Sequence, residues 1–327
     1  MNKILEVKHV SASYTTQGSA FAKEKVQIVL HDVSFDLYEV EALGLVGESG
    51  SGKTTIVAGL LAALKRRGLK VQPFKVGPDY IDPGYHKQAC GRDSVNLDSF
   101  LLTENNLFKS FIDQSLGADI AVVEGVMGLF DGGKKGISST AEIAYRLEAP
   151  IVLVIDAKSM GESAAAVALG FKMYDPEVKI AGVILNRLGS STHEMIIRNG
   201  LKRLHIPVLG AVYRDDKLVL PSRHLGLVPT AENEAPIEAI ADAVEKQVDV
   251  EHILEIARIV RPYKIYLYPS DPKTEARMHS KVRIGGAWDE AFSFYYPDGL
   301  CCLEMKGADL IKFSPMKDKV LPEVDGL

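Results

Sequence analysis

Eight residues, Gly47-Glu48-Ser49-Gly50-Ser51-Gly52-Lys53-Thr54, have the types and the G-x-x-x-x-G-K-[ST] spacing of a phosphate cradle. Gly47, Gly50 and Gly52 let successive backbone N–H groups turn inward on an anion. A helix opening after them adds a favourable partial positive charge. In this pattern Lys53 reaches the β- and γ-phosphates and the Thr54 hydroxyl ligates Mg²⁺, with Ser51 and Thr55 completing the nucleotide contacts. The implied ligands are ATP and Mg²⁺. Such a loop specifies no reaction, so the remaining acids and the acceptor must come from elsewhere in the chain.

Two further segments carry that chemistry. Lys75-Val76-Gly77-Pro78-Asp79-Tyr80-Ile81-Asp82-Pro83-Gly84-Tyr85-His86 is forced into a loop by its glycines and prolines. It displays an amine, two carboxylates and two phenols after an apolar run. A solvated polar loop is the competing interpretation. Val122-Val123-Glu124-Gly125-Val126-Met127-Gly128-Leu129-Phe130-Asp131 ends an apolar run in one acid and places a second beyond a glycine-rich turn. Glu124 stands where a metal-holding acid would stand. The run at 151–155 also ends in an acid, Asp156, and pattern alone does not choose between them.

These residues need a scaffold that gathers strand ends. Apolar runs at 42–46, 70–75, 119–123, 151–155, 180–185 and 208–212 are continuous rather than alternating, as in parallel strands covered on both faces. Helical patterns lie between them. One is 54–67, with Ile56, Val57, Leu60, Leu61 and Leu64 on one stripe and Gly68 as its stop. The fold class is therefore α/β, a P-loop doubly wound, mostly parallel sheet whose C-terminal edge binds ligands. An N-terminal β extension (strands at 4–10 and 26–37, a loop at 14–25) precedes it, and an incomplete C-terminal α/β unit follows. The boundaries are 1–43, 44–230, an acidic helical segment with linker at 231–280, and 281–327, which opens on a strand at 282–287.

With 327 residues, 46% apolar and 25% charged, the chain can bury a sizeable core. A net charge of −5 argues against a nucleic-acid partner, which needs a basic face. No apolar stretch approaches the length of a membrane span. Met1 to Lys8 carries charges where a leader needs an apolar run. Cys90, Cys301 and Cys302 form no disulfide or zinc framework, so a reducing, cytoplasmic setting is expected.

From Gly52-Lys53-Thr54-Thr55 onward the chain resembles the ATP-binding domain of the cobyrinate a,c-diamide synthases, within the dethiobiotin-synthetase-like P-loop group. The resemblance rests on the segments 68–83, Asn96-Leu97-Asp98, 123–132, Ile184-Leu185-Asn186-Arg187 and 223–229, covering more than half the chain. It implies ATP-dependent amidation of the a and c acetate carboxylates of a corrin. The γ-phosphoryl group first makes an acyl phosphate, because oxide is too poor a leaving group for direct attack by ammonia. It implies Lys53 and Thr54 on phosphate and Mg²⁺, and Glu124 rather than Asp156 as metal ligand, with Asp79 as a second. Asp82 and Asp131 would support substrate placement and phosphoryl transfer, Lys75 would neutralise the transferred group, and Asn186 would read adenine. The implied partners are a tetrapyrrole and ammonia, free or glutamine-derived. A nickel sirohydrochlorin is an alternative acceptor. A homodimer is compatible with the sequence.

Two departures from that family stand out. The head, with Leu5-Glu6-Val7, Ser11-Ala12-Ser13-Tyr14 and Val29 to Phe35, resembles the start of an ABC-transporter ATPase. There an aromatic at the Tyr14 position stacks on adenine; here a strand aromatic packed on a sheet is the favoured interpretation. The two resemblances meet inside the phosphate loop, as in a chimera. No L-S-G-G-Q-like signature and no strand ending in Asp-Glu follows residue 60, which argues against a transporter ATPase. A partitioning ATPase would carry a lysine near the loop's start, where Glu48 stands. At the other end, 282–296 and 313–318 resemble the opening of the family's glutaminase domain. A glutaminase needs a cysteine on a tight strand-to-helix turn and a histidine base. Cys301 and Cys302 lack elbow glycines and the last histidine, His279, lies upstream, so they read as two buried small apolar residues. The expectation is a chain that does not hydrolyse glutamine itself, with unfinished sheet edges open to pairing or aggregation.

Overall fold

The computed structural model describes residues 2–16, 25–39, 41–220, 222–223, 226–227, 235–258, 263–267 and 282–327. Its order begins with β1 (Asn2–Thr16), β2 (Lys25–Glu39) and β3 (Ala42–Gly47), then α1 (Lys53–Arg66), β4 (Val71–Val76), α2 (Asp82–Cys90) and β5 (Val95–Leu97). Next come α3 (Glu104–Ser115), β6 (Ile120–Glu124), α4 (Thr140–Arg146), β7 (Ile151–Asp156), α5 (Ser163–Tyr174), β8 (Ile180–Leu188), α6 (Ser191–Arg203) and β9 (Val208–Tyr213). The short hairpin β10 (Ser222–Arg223) and β11 (Gly226–Leu227) precedes α7 (Ile237–Gln247), α8 (Val250–Ala257) and β12 (Tyr263–Leu267). The chain continues through β13 (Val282–Ala287), α9 (Pro297–Met305) and β14 (Ala308–Phe313).

Seven strands form one parallel sheet in the order β5-β4-β6-β3-β7-β8-β9. The continuous apolar runs are explained by burial: β3, β4 and β6 are covered along their whole length. The chain leaves β3 toward β4 on one side and later crosses from β6 to β7 on the other. The resulting crevice at the C-terminal strand ends is where such sheets bind ligands.

The expected stripe of α1 is buried, and so are Ala58, Ala62 and Ala63, because α1 is packed on both the sheet and α7. A Cβ on Gly59 would lie 2.6 Å from Val244 Cγ2 and 2.8 Å from Ile240 Cγ2, so glycine sets the closeness of these two helices. Gly68, at φ +83°, ends α1 while Leu69 N–H returns to Leu64 O, a left-handed stop that β-carbon-bearing residues resist. The apolar face of α7, Ile237, Ile240, Ala241 and Val244, completes this core.

The N-terminal strands run further than expected. Tyr14 to Thr16 belong to β1 and Lys25 to β2, since the antiparallel ladder, with its register shifts, carries polar residues that local propensity assigns to a loop. Residues 17–24 and the ring of Tyr14 lie outside what is described, as do 224–225, 228–234 and the linker at 268–281. β12 adds a third strand, antiparallel to β2. β13 and β14 pair in parallel, with α9 between them in sequence. Cys301 is half-buried and Cys302 exposed, unlike the expectation, because α9 has no fully covered residue.

Candidate nucleotide and phosphoryl-transfer site

The loop after β3 leads into α1 through Gly50 at φ +82° and Gly52 at φ +80°. Only glycine also leaves room at 52, where a Cβ would meet Asn186 Nδ2 at 2.4 Å. Asn186 stands at the end region of β8, in register with Asp156 of β7. Its Nδ2 donates to Ser51 O at 2.8 Å, and its Oδ1 accepts from Arg187 N–H at 2.9 Å. Arg187 Nη1 donates to Gly50 O and pairs with Asp156 Oδ2, both at 2.7 Å. The ends of β7 and β8 thus fix the outer turn of the loop. An open cleft of about 920 Å³ runs from Gly50, Lys53 and Thr55 past Asn186 toward Tyr213 and Leu220.

Behind the loop, charged side chains converge. Glu124, at the end of β6, is fully buried. Thr54 Oγ1 lies 2.6 Å from Glu124 Oε1 and 3.2 Å from Asp82 Oδ2. Lys75, at the end of β4 and fully buried, sends Nζ to within 3.1 Å of Glu124 Oε1 and 3.4 Å of Asp79 Oδ2. It also donates to Asp82 Oδ2 and to Gly125 O. α2 begins at Asp82, and Asp79 Oδ1 accepts from Ile81 N–H and Asp82 N–H at 2.9 and 3.2 Å, which fixes the turn that delivers both acids. Asn96 on β5 ties this turn down from below, donating to Gly77 O and Asp79 O at 2.8 Å each. One helical turn after Asp82, the buried His86 donates Nε2–H to Glu124 Oε2 at 2.5 Å, and its Nδ1 lies 2.9 Å from Ser94 Oγ.

The electrostatics follow from this packing. Burial pushes the Lys53 ammonium down, against the pull of Glu124. Burial also works against charge on Lys75, but Glu124, Asp82 and Asp79 outweigh it and hold that ammonium above its usual value. Burial and then the neighbouring Glu124 raise Asp82 to about 6, in spite of Lys75. For Glu124, burial is overcome by Lys75, His86 and Thr54, so its carboxyl stays well below the usual carboxylate range. The two neighbouring acids are thus shifted in opposite directions, Glu124 down and Asp82 up.

The structure therefore brings together Lys53, Thr54, Lys75, Asp79, Asp82 and Glu124, and sets Asn186 against the loop. Asp156 faces Arg187 instead. Asp131 takes a different position: it is exposed, in the turn closed by Asp131 N–H to Gly128 O. A Cβ on Gly128 would lie 2.5 Å from Asp131 Oδ2 and 2.8 Å from Glu48 Oε1, so Asp131 faces the first turn of the phosphate loop. Tyr85, expected on display, is buried with Leu220 and Ile240 because its side of α2 faces the core. Tyr80 remains partly exposed and stacks on Phe294 and Tyr296, with ring centroids 5.3 and 4.9 Å away. A second cavity of about 420 Å³ opens there, between the 79–84 turn and Trp288, Tyr295 and Lys312.

Sequence reasoning missed His86, Ser94 and Asn96 as parts of this network. The i, i+4 spacing of Asp82 and His86 on α2 was the available signal for one of them. The donor set fits Mg²⁺: hard oxygens from Thr54, Asp82 and Glu124 meet within 3.2 Å of one hydroxyl. Among the described residues no group of three or more His, Cys, Asp or Glu side chains is arranged to hold a metal alone.

Sheet order, phosphate loop and converging acids define a P-loop nucleotide-binding protein of the doubly wound α/β class. Residues 45–228 match the CobQ/CobB/MinD/ParA nucleotide binding domain, and the chain belongs to that family. It is 45% identical over 289 residues to the cobyrinate a,c-diamide synthase of Picrophilus torridus, covering 85% of this chain and 63% of that protein. It is 48% identical over 286 residues to the enzyme of the same name from Syntrophotalea carbinolica, covering 85% and 61%. The chain thus spans less than two thirds of the length of these relatives. Among solved structures it is similar to the MinD cell division protein of Aquifex aeolicus, at 18% identity and TM-score 0.41, over 67% of this chain and 96% of that one. Among the described residues no helix is long and apolar enough to cross a membrane.

Proposed function

We propose that this chain carries out ATP-dependent amidation of the a and c acetate carboxylates of cobyrinate, in the cytoplasm, as a step of cobalamin biosynthesis. The observation that carries this reading is the meeting of Thr54, Lys75, Asp82 and Glu124 at the foot of the phosphate loop. The names of the relatives supply the acceptor. ATP lies along the cleft, its triphosphate on the loop amides from Gly47 to Thr55 and Lys53. Asn186 keeps one amide hydrogen and one lone pair beyond its contacts to Ser51 and Arg187, which adenine takes up. Thr54 and Glu124 would hold Mg²⁺, with Asp79, whose Oδ2 stands 3.4 Å from Lys75 Nζ, as a second acid and Asp82 beside them on the Thr54 hydroxyl; the bound ion would neutralise phosphate charge.

A carboxylate oxygen of the acceptor attacks the γ-phosphorus and the bond to ADP breaks, giving an acyl phosphate. Two anions must approach, so Lys53 and Lys75 supply positive charge and alignment rather than a covalent bond. Asp82, held by Lys75, places the acceptor, and Asp131 supports the transfer from the other side of the loop. Ammonia then attacks the acyl carbon; the C–O bond to phosphate breaks, and the proton lost by nitrogen leaves with the phosphate as hydrogenphosphate. The ammonia is free or comes from glutamine hydrolysed elsewhere. The place of Cys301 and Cys302 in the body of α9, away from a strand-to-helix turn, supports the reading that neither is a glutaminase nucleophile. In the same reading 281–327 is the opening of a glutaminase-like unit, 231–280 a helical segment and linker, and 1–43 an ABC-ATPase-like β head.

The test is phosphate release with ATP, Mg²⁺ and ammonium, with and without cobyrinate, and mass analysis of the product. Cobyrinate-dependent release with formation of a diamide supports the reading. Release that ignores the acceptor points to a partitioning or transporter-type ATPase, and stimulation by nickel sirohydrochlorin alone moves the activity to that ring. Turnover supported by glutamine as well as ammonium sinks the assignment of the cysteines.

A further inference from the structure

The network behind Glu124 contains a residue that the proposed chemistry does not use. His86 is fully buried and spends both ring nitrogens inside the protein, away from the phosphate loop's own hydrogen bonds: Nε2 on Glu124 Oε2 at 2.5 Å and Nδ1 on Ser94 Oγ at 2.9 Å. α2 supplies it. Asp82 and His86 stand one helical turn apart on one face, so the helix that brings Asp82 to Thr54 also brings His86 to Glu124.

The two oxygens of Glu124 are thereby divided. Oε2 is taken by imidazole; Oε1 faces Thr54 Oγ1 at 2.6 Å and Lys75 Nζ at 3.1 Å. A buried carboxylate with one free oxygen could turn and offer both oxygens to Lys75, closing a tight ion pair that excludes a second cation. The imidazole prevents that turn, and Ser94 fixes the ring plane. We infer that His86 is a positioning residue: it holds Glu124 so that a single oxygen faces Thr54 and the cation site, keeping that site open to Mg²⁺ rather than collapsed onto Lys75. The inference rests on the proposed role of Glu124 as metal ligand. Partners of this kind, which orient a ligand without touching the metal, typically change metal affinity about 10–100-fold when removed.

The test reads Mg²⁺-dependent nucleotide binding, without acceptor or turnover. Binding of a fluorescent ATP analogue to the full chain is followed while Mg²⁺ is titrated, for wild type and for His86→Ala, His86→Asn and His86→Gln. A glutamine amide reaches the Nε2 position and so contacts Glu124. An asparagine amide reaches only the Nδ1 position and so contacts Ser94. The expected result is a rise of about 10-fold or more in half-saturating Mg²⁺ for His86→Ala and His86→Asn, with recovery to within about 3-fold for His86→Gln. Metal-free binding of the analogue stays unchanged in all three. A merely structural histidine would not separate Asn from Gln in this way. Equal Mg²⁺ requirements for folded His86→Asn and wild type overturn the inference, and so does failure of Gln to recover what Asn loses. If the Asn and Ala chains do not fold, Ser94→Ala decides: a smaller rise, about 3-fold, is expected, and no rise overturns it. A wild-type chain that binds Mg²⁺ and nucleotide normally but ignores cobyrinate defeats the proposed reaction and leaves this inference standing.

Discussion

Two regions of this molecule are built from parallel strands, and they could hardly differ more in what they can hold. At the C-terminal edge of the seven-stranded sheet, Lys75, His86 and Glu124 are charged or polar and wholly buried. In the 282–327 unit, two parallel strands flank a helix with no covered residue, and Phe292, Phe294, Val320 and Leu321 are exposed. A two-stranded parallel pair has too little covered face to exclude water. Among the described residues its contacts with the rest of the chain include the stack of Tyr80 on Phe294 and Tyr296 and the hydrogen bond from Ser110 Oγ to Asp298 Oδ2. Seven covered strands make a low-dielectric floor on which three acids and two amines have large effects on one another; two do not.

The largest expected effect lies on that floor. Glu124→Gln should lower cobyrinate-dependent phosphate release by about 10²–10³-fold while nucleotide binding stays measurable by calorimetry. Asp156→Asn should lose far less, since its partner is the surface Arg187; the reverse ranking would give the metal position to Asp156. Next is pH. Asp82 is raised to about 6 from a usual 3.8, so the folded chain binds the extra proton and stability falls as pH rises through that window. In nucleotide- and metal-free protein, about 2–3 kcal/mol should be lost between pH 4 and pH 7, and Asp82→Asn should flatten that slope in denaturant melts. The acid limb due to Glu124 has the opposite sign and lies lower, below the usual carboxylate range.

Smaller still is the effect of loosening the weaker region. Tyr80→Ala removes two ring stacks worth about 0.5–1.5 kcal/mol each. Limited proteolysis should then cut near 281 several-fold faster, with the melt of the sheet domain unchanged; equal cutting rates would show that the small unit holds itself. The least change is expected from Asp131→Asn, an exposed position, within about 0.5 kcal/mol of wild type in denaturant melts. A larger loss would place Asp131 in the buried network after all.

What the sequence made legible depends on distance along the chain. The six long strands are contiguous patterns, and each emerged where expected, with the phosphate loop after the first of them and Glu124 at the end of β6. β5 is three residues long, too short for any periodicity. β12 finds its partner in β2, more than two hundred residues earlier. The grip of Asn186 on Ser51 follows from the register of β8 beside β7, which no local pattern encodes. Tyr85 and His86 looked like members of a polar loop because the start of α2, with proline and glycine at its third and fourth positions from Ile81, carries loop residues. Once Asp79 fixes the turn, the helix turns both rings inward.

The close crossing at Gly59 has a consequence for biogenesis. The phosphate-binding helix emerges early from the ribosome, but the face at Gly59 is covered by Ile240 and Val244 of α7, more than half a chain later. Until they arrive, Ile56, Leu60 and their neighbours lie bare, and so non-local a contact delays closure. A nascent chain of this protein should therefore engage holding chaperones until α7 clears the exit tunnel, then release them in one step.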